Sequence, residues 1–201
     1  MKNGKYIENG KECWYLNDIL HRMDGPAIIY ADGHQVWYLN GECHRTDGPA
    51  VIWPNGGQSW CLNGKLHRTD GPAIINPANG SQEWYLNGER HRTDGPAYIN
   101  SDGYQEWYLN GKLHRIDGPA RIWPDGSQFW YLNGEFHRTD GPAVIWPDRS
   151  QEWWVNGQEV NKDIFNFILT CTMEELIPYI FGHQYKDYKP LIEDRLRRDK
   201  E

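Results

Sequence analysis

The sequence predicts a mainly β protein, an elongated antiparallel array of β-hairpin repeats followed by a small α-helical cap. Three observations predict it. Tryptophans recur at steps of 23 or 24 residues, β-branched and aromatic segments alternate with Asn-Gly and Asp-Gly turns, and the pattern becomes helical after residue 157. We therefore expect a repeat domain over residues 1–157 and a helical cap over residues 158–201.

The tryptophans set the register of the repeat. The steps between them are 23, 23, 24, 23, 23 and 23 residues, and the extra residue lies in the segment NPANG. This spacing fits six full repeats with a partial repeat at each end. A period of this length indicates one supersecondary unit per repeat, stacked on its neighbours. The tryptophans are Trp14, Trp37, Trp60, Trp84, Trp107, Trp130 and Trp153.

Each repeat is predicted to form one hairpin and one linking segment. Segments such as AVIW and QEWYL are rich in residues that favour strands, and PDG or ADG separates them. The dipeptide NG follows, and both kinds of turn supply the positive φ angles of tight hairpins. The remaining residues, E-x-H-R-x-D-G-P, are expected to link one hairpin to the next.

One face of the hairpins is expected to be buried. Alternation along a strand places Trp37 and Leu39 on one face, and we expect Ala50 and Ile52 to share it. Burying a large apolar side chain contributes about 1.5–3 kcal/mol, whereas ordering a residue costs about 1.5 kcal/mol. A single repeat therefore cannot fold alone, but an array can.

The other face is aromatic and varies among repeats. A second packing surface is the first expectation for it, and the alternative is a binding surface at the positions that vary. Trp, Tyr and Arg dominate protein-binding hot spots, so the partner-binding candidates are Trp53, Tyr85, Tyr98, Tyr108, Arg121 and Trp123. Smaller side chains replace bulky rings at three positions, which are the candidates for a ligand notch: Cys61, Asn76 and Asn100.

The motif His-Arg-x-Asp recurs six times, from His21 to Asp140. Catalysis needs one asymmetric constellation with a nucleophile, and equivalent copies are about 9.5 Å apart, too far for two His to share a zinc ion. We therefore expect no catalytic and no metal site. We expect a ladder in which His and Arg donate to Asp of the same or the next repeat, with Arg stacked on Trp or Tyr.

The segment after residue 157 is predicted to form two or three short helices. Ile164, Phe165, Ile168 and Leu169 have helical spacing. Thr172 and Glu175 form a capping box, Pro178 should kink or shorten its helix, and Pro190 is placed in the first turn of the last helix. The segment is expected to cover a sheet edge. The alternative is a docking or dimerisation surface formed by Phe165, Phe167, Ile168, Ile180 and Phe181.

Bulk properties limit the classes of partner. The net charge is −7 and no polybasic segment is present, so neither nucleic acid nor a membrane surface is an expected partner. No signal peptide and no apolar run long enough to span a membrane are found, and four unpaired-looking cysteines predict free thiols in a reducing, cytoplasmic setting.

The 23-residue step, the segment LNGECH and the turn PDG or ADG resemble the MORN (membrane occupation and recognition nexus) repeat, whose pattern includes N-G-x-x-H and a closing D-G. The resemblance covers about residues 5–157. H-R-x-D-G-P replaces H-G-x-G, and W-Y-L replaces Y-x-G, so the chain resembles a variant branch. The resemblance implies a single-layer antiparallel sheet with scaffolding, protein-binding or dimerisation roles. The lipid binding proposed for some members is not expected at this charge.

These observations together predict a non-enzymatic, cofactor-free binding protein, an adaptor, scaffold or inhibitor of another protein. A bacterial or phage setting, with interference with a host factor, is the expected context. One alternative is capture of a small molecule or nucleotide on the aromatic face, and another is binding of single-stranded nucleic acid by stacking. A homodimer through the C-terminal helices or a sheet edge is a further expectation.

Overall fold

The computed structural model describes residues 1–181 and 185–198, and it confirms a mainly β fold with three short helices. The chain divides into two compact parts, an N-terminal part, Met1–Gly111, and a C-terminal part, Lys112–Glu201. This division lies within the repeats, whereas the change from strand to helix lies between Glu159 and Lys162. The domain boundary predicted between residues 157 and 158 stays a prediction.

The strands of the N-terminal part follow one another in short pairs. In chain order they are β1 (Gly4–Glu8), β2 (Lys11–Leu16), β3 (Ile19–Leu20), β4 (Ile28–Ile29), β5 (Gln35–Val36), β6 (Tyr38–Leu39), β7 (Glu42–Cys43), β8 (Val51–Ile52), β9 (Gln58–Ser59), β10 (Cys61–Leu62), β11 (Lys65–Leu66), β12 (Ile74–Asn76), β13 (Ser81–Glu83), β14 (Tyr85–Leu86), β15 (Glu89–Arg90), β16 (Tyr98–Ile99), β17 (Gln105–Glu106) and β18 (Tyr108–Leu109).

The C-terminal part continues the same pattern and then becomes helical. Its elements are β19 (Lys112–Leu113), β20 (Arg121–Ile122), β21 (Gln128–Phe129), β22 (Tyr131–Leu132), β23 (Glu135–Phe136), β24 (Val144–Ile145), β25 (Gln151–Glu152), β26 (Trp154–Val155), β27 (Gln158–Glu159), α1 (Lys162–Thr170), α2 (Met173–Phe181) and α3 (Tyr185–Arg198).

Each repeat contributes one hairpin to a main antiparallel sheet. In the N-terminal part the order is β1, β2, β4, β5, β8, β9, β12, β13, β16 and β17, and in the C-terminal part it is β20, β21, β24 and β25. Sequence order is therefore spatial order within each part. The turns use glycines with positive φ, such as Gly33 (92°) and Gly126 (91°), as the ADG and PDG segments predict.

From β6 onward a second hairpin in each repeat lies outside the main sheet, and we call it the Asn-Gly hairpin, whereas the corresponding strand of the first repeat, β3, pairs with β2 of the main sheet. In β6–β7, Tyr38 pairs with Cys43 and Leu39 with Glu42. Asn40 and Gly41 close it with φ of 52° and 82°, the conformation that a two-residue hairpin turn requires. The residues after NG were predicted to belong to a linker, but they form the returning strand of this hairpin.

The tryptophan backbone explains why QEWYL splits into two strands. The N–H of Trp37 donates to the carbonyl of Ala50 in the next repeat (2.8 Å), and its carbonyl accepts from the N–H of His44 (3.1 Å). Trp37 thus joins the main sheet on one side and the Asn-Gly hairpin on the other. The same two bonds recur at Trp14, Trp60, Trp84 and Trp130.

The alanine row is the most deeply buried feature of the repeats. Its members are fully buried, as predicted: Ala27, Ala50, Ala73, Ala97, Ala120 and Ala143. The Trp and Ile rows beside them are half-buried. Each of these side chains is therefore partly covered by its neighbours and partly at the surface.

The 24-residue repeat accommodates its extra residue in a hairpin turn. Here β12 and β13 pair over three residues, with Asn76 opposite Ser81, and four residues form the loop. The following repeat pairs normally, with Gln82 opposite Ile99. The insertion therefore leaves the register of later repeats unchanged.

The three helices and the last hairpin share one core within the C-terminal part. Asn161 caps α1 through bonds from the N–H groups of Asp163 and Ile164. The predicted capping box is confirmed, because Glu175 accepts from the N–H of Thr172 (2.8 Å) and donates its own N–H to Thr172 Oγ1 (3.3 Å). The buried members of this core are Val155, Val160, Phe165, Ile168, Cys171, Leu176, Leu191 and Ile192.

Two expectations for the helices change with this core. Phe165 and Ile168 are 1% and 0% exposed, so they are unavailable for docking to another molecule, and the side chain of Phe181 lies outside the described residues. Pro190 stands five residues inside α3 rather than in its first turn. Burial of Leu191 and Ile192 directly after it offsets the cost of the missing N–H.

Candidate functional site

The His-Arg-x-Asp-Gly segment holds its arginine between a ring and a glycine. Nε of Arg68 donates to Asp70 (2.8 Å) and Nη1 to the carbonyl of Pro72 (3.2 Å). Its guanidinium carbon lies 3.9 Å from the ring centre of Trp60. A Cβ on Gly71 would lie 3.1 Å from the same carbon and would press on the guanidinium, so close packing, and not a positive φ, favours glycine here.

The histidine of each segment reaches the next repeat, but it contacts asparagine and not the predicted aspartate. Nδ1 of His67 lies 3.0 Å from Oδ1 of Asn87 and accepts from the N–H of Asn87 (3.1 Å). Asp70 itself is 79% exposed and bonded to its own arginine. The predicted ladder is therefore joined by His–Asn contacts, which recur from His21–Asn40 to His114–Asn133.

Five of the aspartates in these segments have pKa values below the usual 3.8. Hydrogen bonding to the adjacent arginine is the largest cause, followed by its charge. The arginines and aspartates are therefore largely engaged with each other in every copy. The aspartates affected are Asp24, Asp47, Asp70, Asp94 and Asp117.

Shallow grooves between successive segments repeat along the N-terminal part. Three have volumes of about 500, 560 and 570 Å³. One groove is lined by Arg68, Asp70, Trp84, His91 and Asp94, and the others by the equivalent residues. Because the grooves are lined by nearly the same residues, a partner could not tell one groove from another, and none of them is a distinctive binding site.

The tyrosine side of the repeats contains one distinctive site, which strands of the main sheet and Asn-Gly hairpins form together and which we call the tyrosine–arginine cluster. It consists of Glu83, Tyr85, Arg90, Tyr98, Tyr104, Glu106 and Tyr108. The guanidinium carbon of Arg90 lies 5.1 Å from the ring centre of Tyr98, 5.4 Å from Tyr108 and 5.9 Å from Tyr85. Three predicted partner-binding tyrosines therefore meet around one cation that sequence reasoning missed.

Two carboxylates share the cation of this cluster. Nη2 of Arg90 lies 2.7 Å from Glu83, and Nη1 lies 3.3 Å from Glu106. Tyr104 donates to the other oxygen of Glu106 at 2.5 Å. Glu106 is 4% exposed, so the cluster places a nearly buried carboxylate beneath a partly open surface of tyrosines.

Arg90 keeps its charge despite partial burial. Burial opposes the charge of Arg90, but hydrogen bonds to Glu83 and Tyr85 outweigh it and raise the pKa of Arg90. Burial is also the main cause that raises the pKa of Tyr85, which keeps that phenol protonated. The three charged residues Glu83, Arg90 and Glu106 carry formal charges of −1, +1 and −1, which leaves one negative charge on an aromatic surface.

A comparison among repeats carries the signal that could have identified Arg90. At this position, directly after N-G-E or N-G-K, other repeats have Cys43, Leu66, Leu113 or Phe136. A cation in an apolar row, flanked by two repeats with Glu before Trp, marks the site. The partner glutamates could not have been assigned, because Glu152 occupies the same row outside the cluster.

The tryptophan candidates lie at the bases of main-sheet turns. Trp53 is 37% exposed and stacks on His34 at 5.7 Å, and His34 stacks on Tyr30 at 4.8 Å. Trp123, in the C-terminal part, is 45% exposed, and Arg121 lies 5.7 Å from the ring of Tyr131. Trp53 belongs to the same part as the tyrosine–arginine cluster.

The three candidate notch residues do not line one cavity. Asn76 lines a cavity of about 210 Å³ together with Trp53, Asn55, Gly57, Ile74 and Ile75. Asn100 accepts hydrogen bonds from the N–H groups of its own turn, at Asp102 and Tyr104. Cys61 is buried at 8% exposed. The cavity is smaller than the roughly 300–1,000 Å³ of typical ligand pockets.

Comparisons with known proteins give no family for the chain: no family model matches it, and no curated protein matches it significantly. Within residues 1–181 and 185–198, no group of three or more His, Cys, Asp or Glu side chains is placed to bind a metal ion. In the same residues, no helix combines the length and apolar character needed to cross a bilayer.

Proposed function

We propose that the protein is a non-enzymatic binding module, an adaptor, scaffold or inhibitor of another protein, and that the tyrosine side of the repeats, formed by the main sheet and the Asn-Gly hairpins, is its contact surface. The observation that carries the proposal is the tyrosine–arginine cluster. It is the place in the N-terminal part where a nearly uniform array presents an individual combination of rings and charges.

The chemistry of the cluster suits a protein partner. Tyr and Trp provide rigid contact area and a polar tip at low conformational cost. Tyr85, Tyr98 and Tyr108 are each half-buried and held in place by Arg90, so little ordering remains to be done on binding. Trp53 adds a partly exposed indole in the same part of the chain.

Small-ligand capture is the weaker alternative. The cavity beside Trp53 and Asn76 could hold a planar ring against the indole, but about 210 Å³ would enclose only a small part of a nucleotide. Single-stranded nucleic acid would meet a chain with a net charge of −7 and a cluster with net negative charge. A flat protein surface fits these dimensions and charges better.

We also propose that the repeats are a variant of the MORN class. The antiparallel hairpins in sequence order and the Asn-Gly turn agree with that resemblance. The Arg–Trp stack and the close-packed glycine account for H-R-x-D-G-P in place of H-G-x-G, since each needs the others. A cytoplasmic location and a bacterial or phage context are parts of the same proposal.

The binding proposal is tested by capture with immobilised full-length protein and matched variants. Tyr98→Val and Trp53→Asn install residues that other repeats carry, Val51 or Val144 and Asn76 or Asn100. A partner retained by the wild-type protein should bind the double variant at least tenfold more weakly, because truncated hot-spot residues each cost about 1–2 kcal/mol or more.

The control is Glu89→Lys, an exposed residue in the returning strand of an Asn-Gly hairpin, where other repeats have Lys65 and Lys112. It changes the charge by two units and should leave capture unaltered. Equal retention by the wild type and the double variant would reject the tyrosine surface. A large thermal shift on addition of nucleotides, without any captured protein, would favour small-ligand capture instead.

A further inference from the structure

Two cysteines occupy the same junction between neighbouring repeats. Cys43 ends the Asn-Gly hairpin β6–β7, in the row that carries Leu66, Arg90 or Phe136 elsewhere. Cys61 begins the next Asn-Gly hairpin, β10–β11, in the row that otherwise carries tyrosine or tryptophan. No other repeat has a cysteine at either of these two positions. The two positions are neighbours where one repeat meets the next.

Other junctions show directly that side chains of these two rows touch. The guanidinium carbon of Arg90 lies 5.4 Å from the ring centre of Tyr108, and the rings of Phe136 and Trp154 lie 5.5 Å apart. Each of these pairs occupies the positions equivalent to Cys43 and Cys61. The contact is thus a property of the repeat geometry, and the cysteines place two sulfur atoms in it.

The backbone at the cysteine junction is held by the same bonds as elsewhere. The N–H of Gly64 donates to the carbonyl of Cys43 (2.9 Å), and the N–H of Arg45 donates to the carbonyl of Cys61 (3.0 Å). The equivalent bonds at the next-but-one junction are Gly111 to Arg90 (2.9 Å) and Arg92 to Tyr108 (3.1 Å). The two strands that carry the sulfurs are therefore fixed side by side.

The two thiols interact with each other, which agrees with the contact expected from the repeat geometry. The Cys61 side chain, together with burial, raises the pKa of Cys43, and the Cys43 side chain lowers the pKa of Cys61. Cys61 is 8% exposed, and Cys43 is half-buried. A small oxidant can therefore reach the pair, while a bulky one is largely excluded.

We propose that Cys43 and Cys61 form a redox-sensitive modification site, at which a peroxide converts the two thiols into a disulfide that ties neighbouring repeats together. The bond would join two Asn-Gly hairpins that otherwise meet only through non-covalent contacts. It would lie in the N-terminal part, away from the tyrosine–arginine cluster in sequence, and it does not depend on the binding function.

The chemistry balances with one molecule of hydrogen peroxide. The Cys61 thiolate attacks one peroxide oxygen, an S–O bond forms, the O–O bond breaks and hydroxide leaves. The Cys43 thiol then loses its proton, its sulfur attacks the Cys61 sulfur, and the S–O bond breaks to release a second hydroxide. The two thiol protons and the two hydroxides give two water molecules, so two thiols are oxidised as the peroxide is reduced.

The test is oxidation of the reduced full-length protein with one equivalent of hydrogen peroxide, alkylation of the remaining thiols and tryptic mass spectrometry. Cleavage after Arg22, Arg45 and Lys65 places Cys43 and Cys61 on separate peptides. We expect these two peptides to become linked, with loss of two hydrogen atoms, while Cys13 and Cys171 stay alkylated. The melting temperature should rise by about 5 °C, because the disulfide closes the loop between Cys43 and Cys61 and so restricts the unfolded chain.

Matched variants keep the proposal falsifiable. Cys43→Leu and Cys61→Tyr install the residues of neighbouring repeats, so each should fold, form no link and show no rise in melting temperature with peroxide. The variant Cys13→Ala/Cys171→Ala should behave as the wild type. Separate oxidation of Cys43 and Cys61 to sulfinic acids, or linkage of either one to Cys13, would overturn the proposal.

Discussion

The His-Arg-x-Asp-Gly segments and the tyrosine–arginine cluster both place an arginine on aromatic rings and beside carboxylates, yet they differ in the number of rings, in the burial of the carboxylates and in how often they occur. Arg68 stacks on one Trp at 3.9 Å and bonds a carboxylate that is 79% exposed, and its neighbours do the same in other repeats. Arg90 is surrounded by three tyrosines and bonds carboxylates whose side chains are 16% and 6% exposed, at one place.

The difference separates what the fold needs from what it does not. A contact made in every repeat, such as the stack of Arg68 on Trp60, belongs to the fold of the repeat unit itself. Arg90 is not needed for the fold of the repeat, because the Asn-Gly hairpins that carry Leu66 and Leu113 at the equivalent position also form. A costly group that the architecture does not require is the better candidate for function.

The largest expected effect comes from the repeated contacts. Trp84→Ala removes the ring beneath Arg92, with its guanidinium carbon 3.9 Å from the ring centre, and should lower the free energy of unfolding by about 2–3 kcal/mol. Trp53→Ala removes a ring that is 37% exposed and should cost about 1 kcal/mol or less. Urea unfolding followed by circular dichroism measures both. Equal losses of unfolding free energy in the two variants would mean that the repeated Trp84 contact is no more important for stability than the partly exposed Trp53.

Arg90→Leu tests the cost of the cluster itself. It leaves Glu83 and the nearly buried Glu106 without their cation, and we expect a loss of about 2 kcal/mol in the free energy of unfolding. Adding Glu83→Ser and Glu106→Ser, by analogy with Ser59, should recover most of it. If the single variant is as stable as the wild type, the charges are not coupled as the geometry indicates.

Acid should weaken the repeated segments before it affects the hydrophobic contacts. Their aspartates have folded pKa values below the usual 3.8, so the unfolded chain binds protons more readily. Their contribution is fully present above about pH 3.8 and is lost as the pH falls through the lower folded values. Melting temperatures recorded from pH 5 downward should fall, and the variant Asp47→Asn/Asp70→Asn should show a shallower fall. A slope that the two substitutions leave unchanged would contradict this origin.

The smallest effect is expected from a single aspartate. Asp94→Ala removes the Nε partner of Arg92 (2.8 Å), but the stack on Trp84 and the bond to the carbonyl of Pro96 remain. The melting temperature should drop by less than for Arg90→Leu. Asp102→Ala, an exposed turn residue in the same part, is the control and should leave the melting temperature unchanged. A drop as large as that of Trp84→Ala would make the carboxylate, and not the stack, the main contact.

The repeat, its turns and its buried alanine row could be predicted because they depend on local spacing. Positive φ at Asn40 and Gly41 follows from residue type alone. The second hairpin was missed because Glu42 and Cys43 lack strand propensity, and their pairing depends on the adjacent repeat, where the N–H of Gly64 bonds the carbonyl of Cys43.

The site was predicted only in outline. Aromatic composition identified Tyr85, Tyr98 and Tyr108, but the sequence does not state that Arg90, 18 residues before Tyr108, lies between repeats and contacts all three. The same limit explains why His67 was paired with aspartate. Its true partner, Asn87, belongs to a turn of the next repeat, and side-chain direction across repeats cannot be obtained from periodicity.

The loop of the 24-residue repeat has a consequence for engineering. One additional residue between Asn76 and Ser81 leaves the pairing of the following strands in register, and Pro77, Ala78, Asn79 and Gly80 are all exposed. This loop is therefore a natural entry point for foreign peptides. An epitope or a reporter inserted after Ala78 should be displayed on the surface while the modules on either side assemble as before.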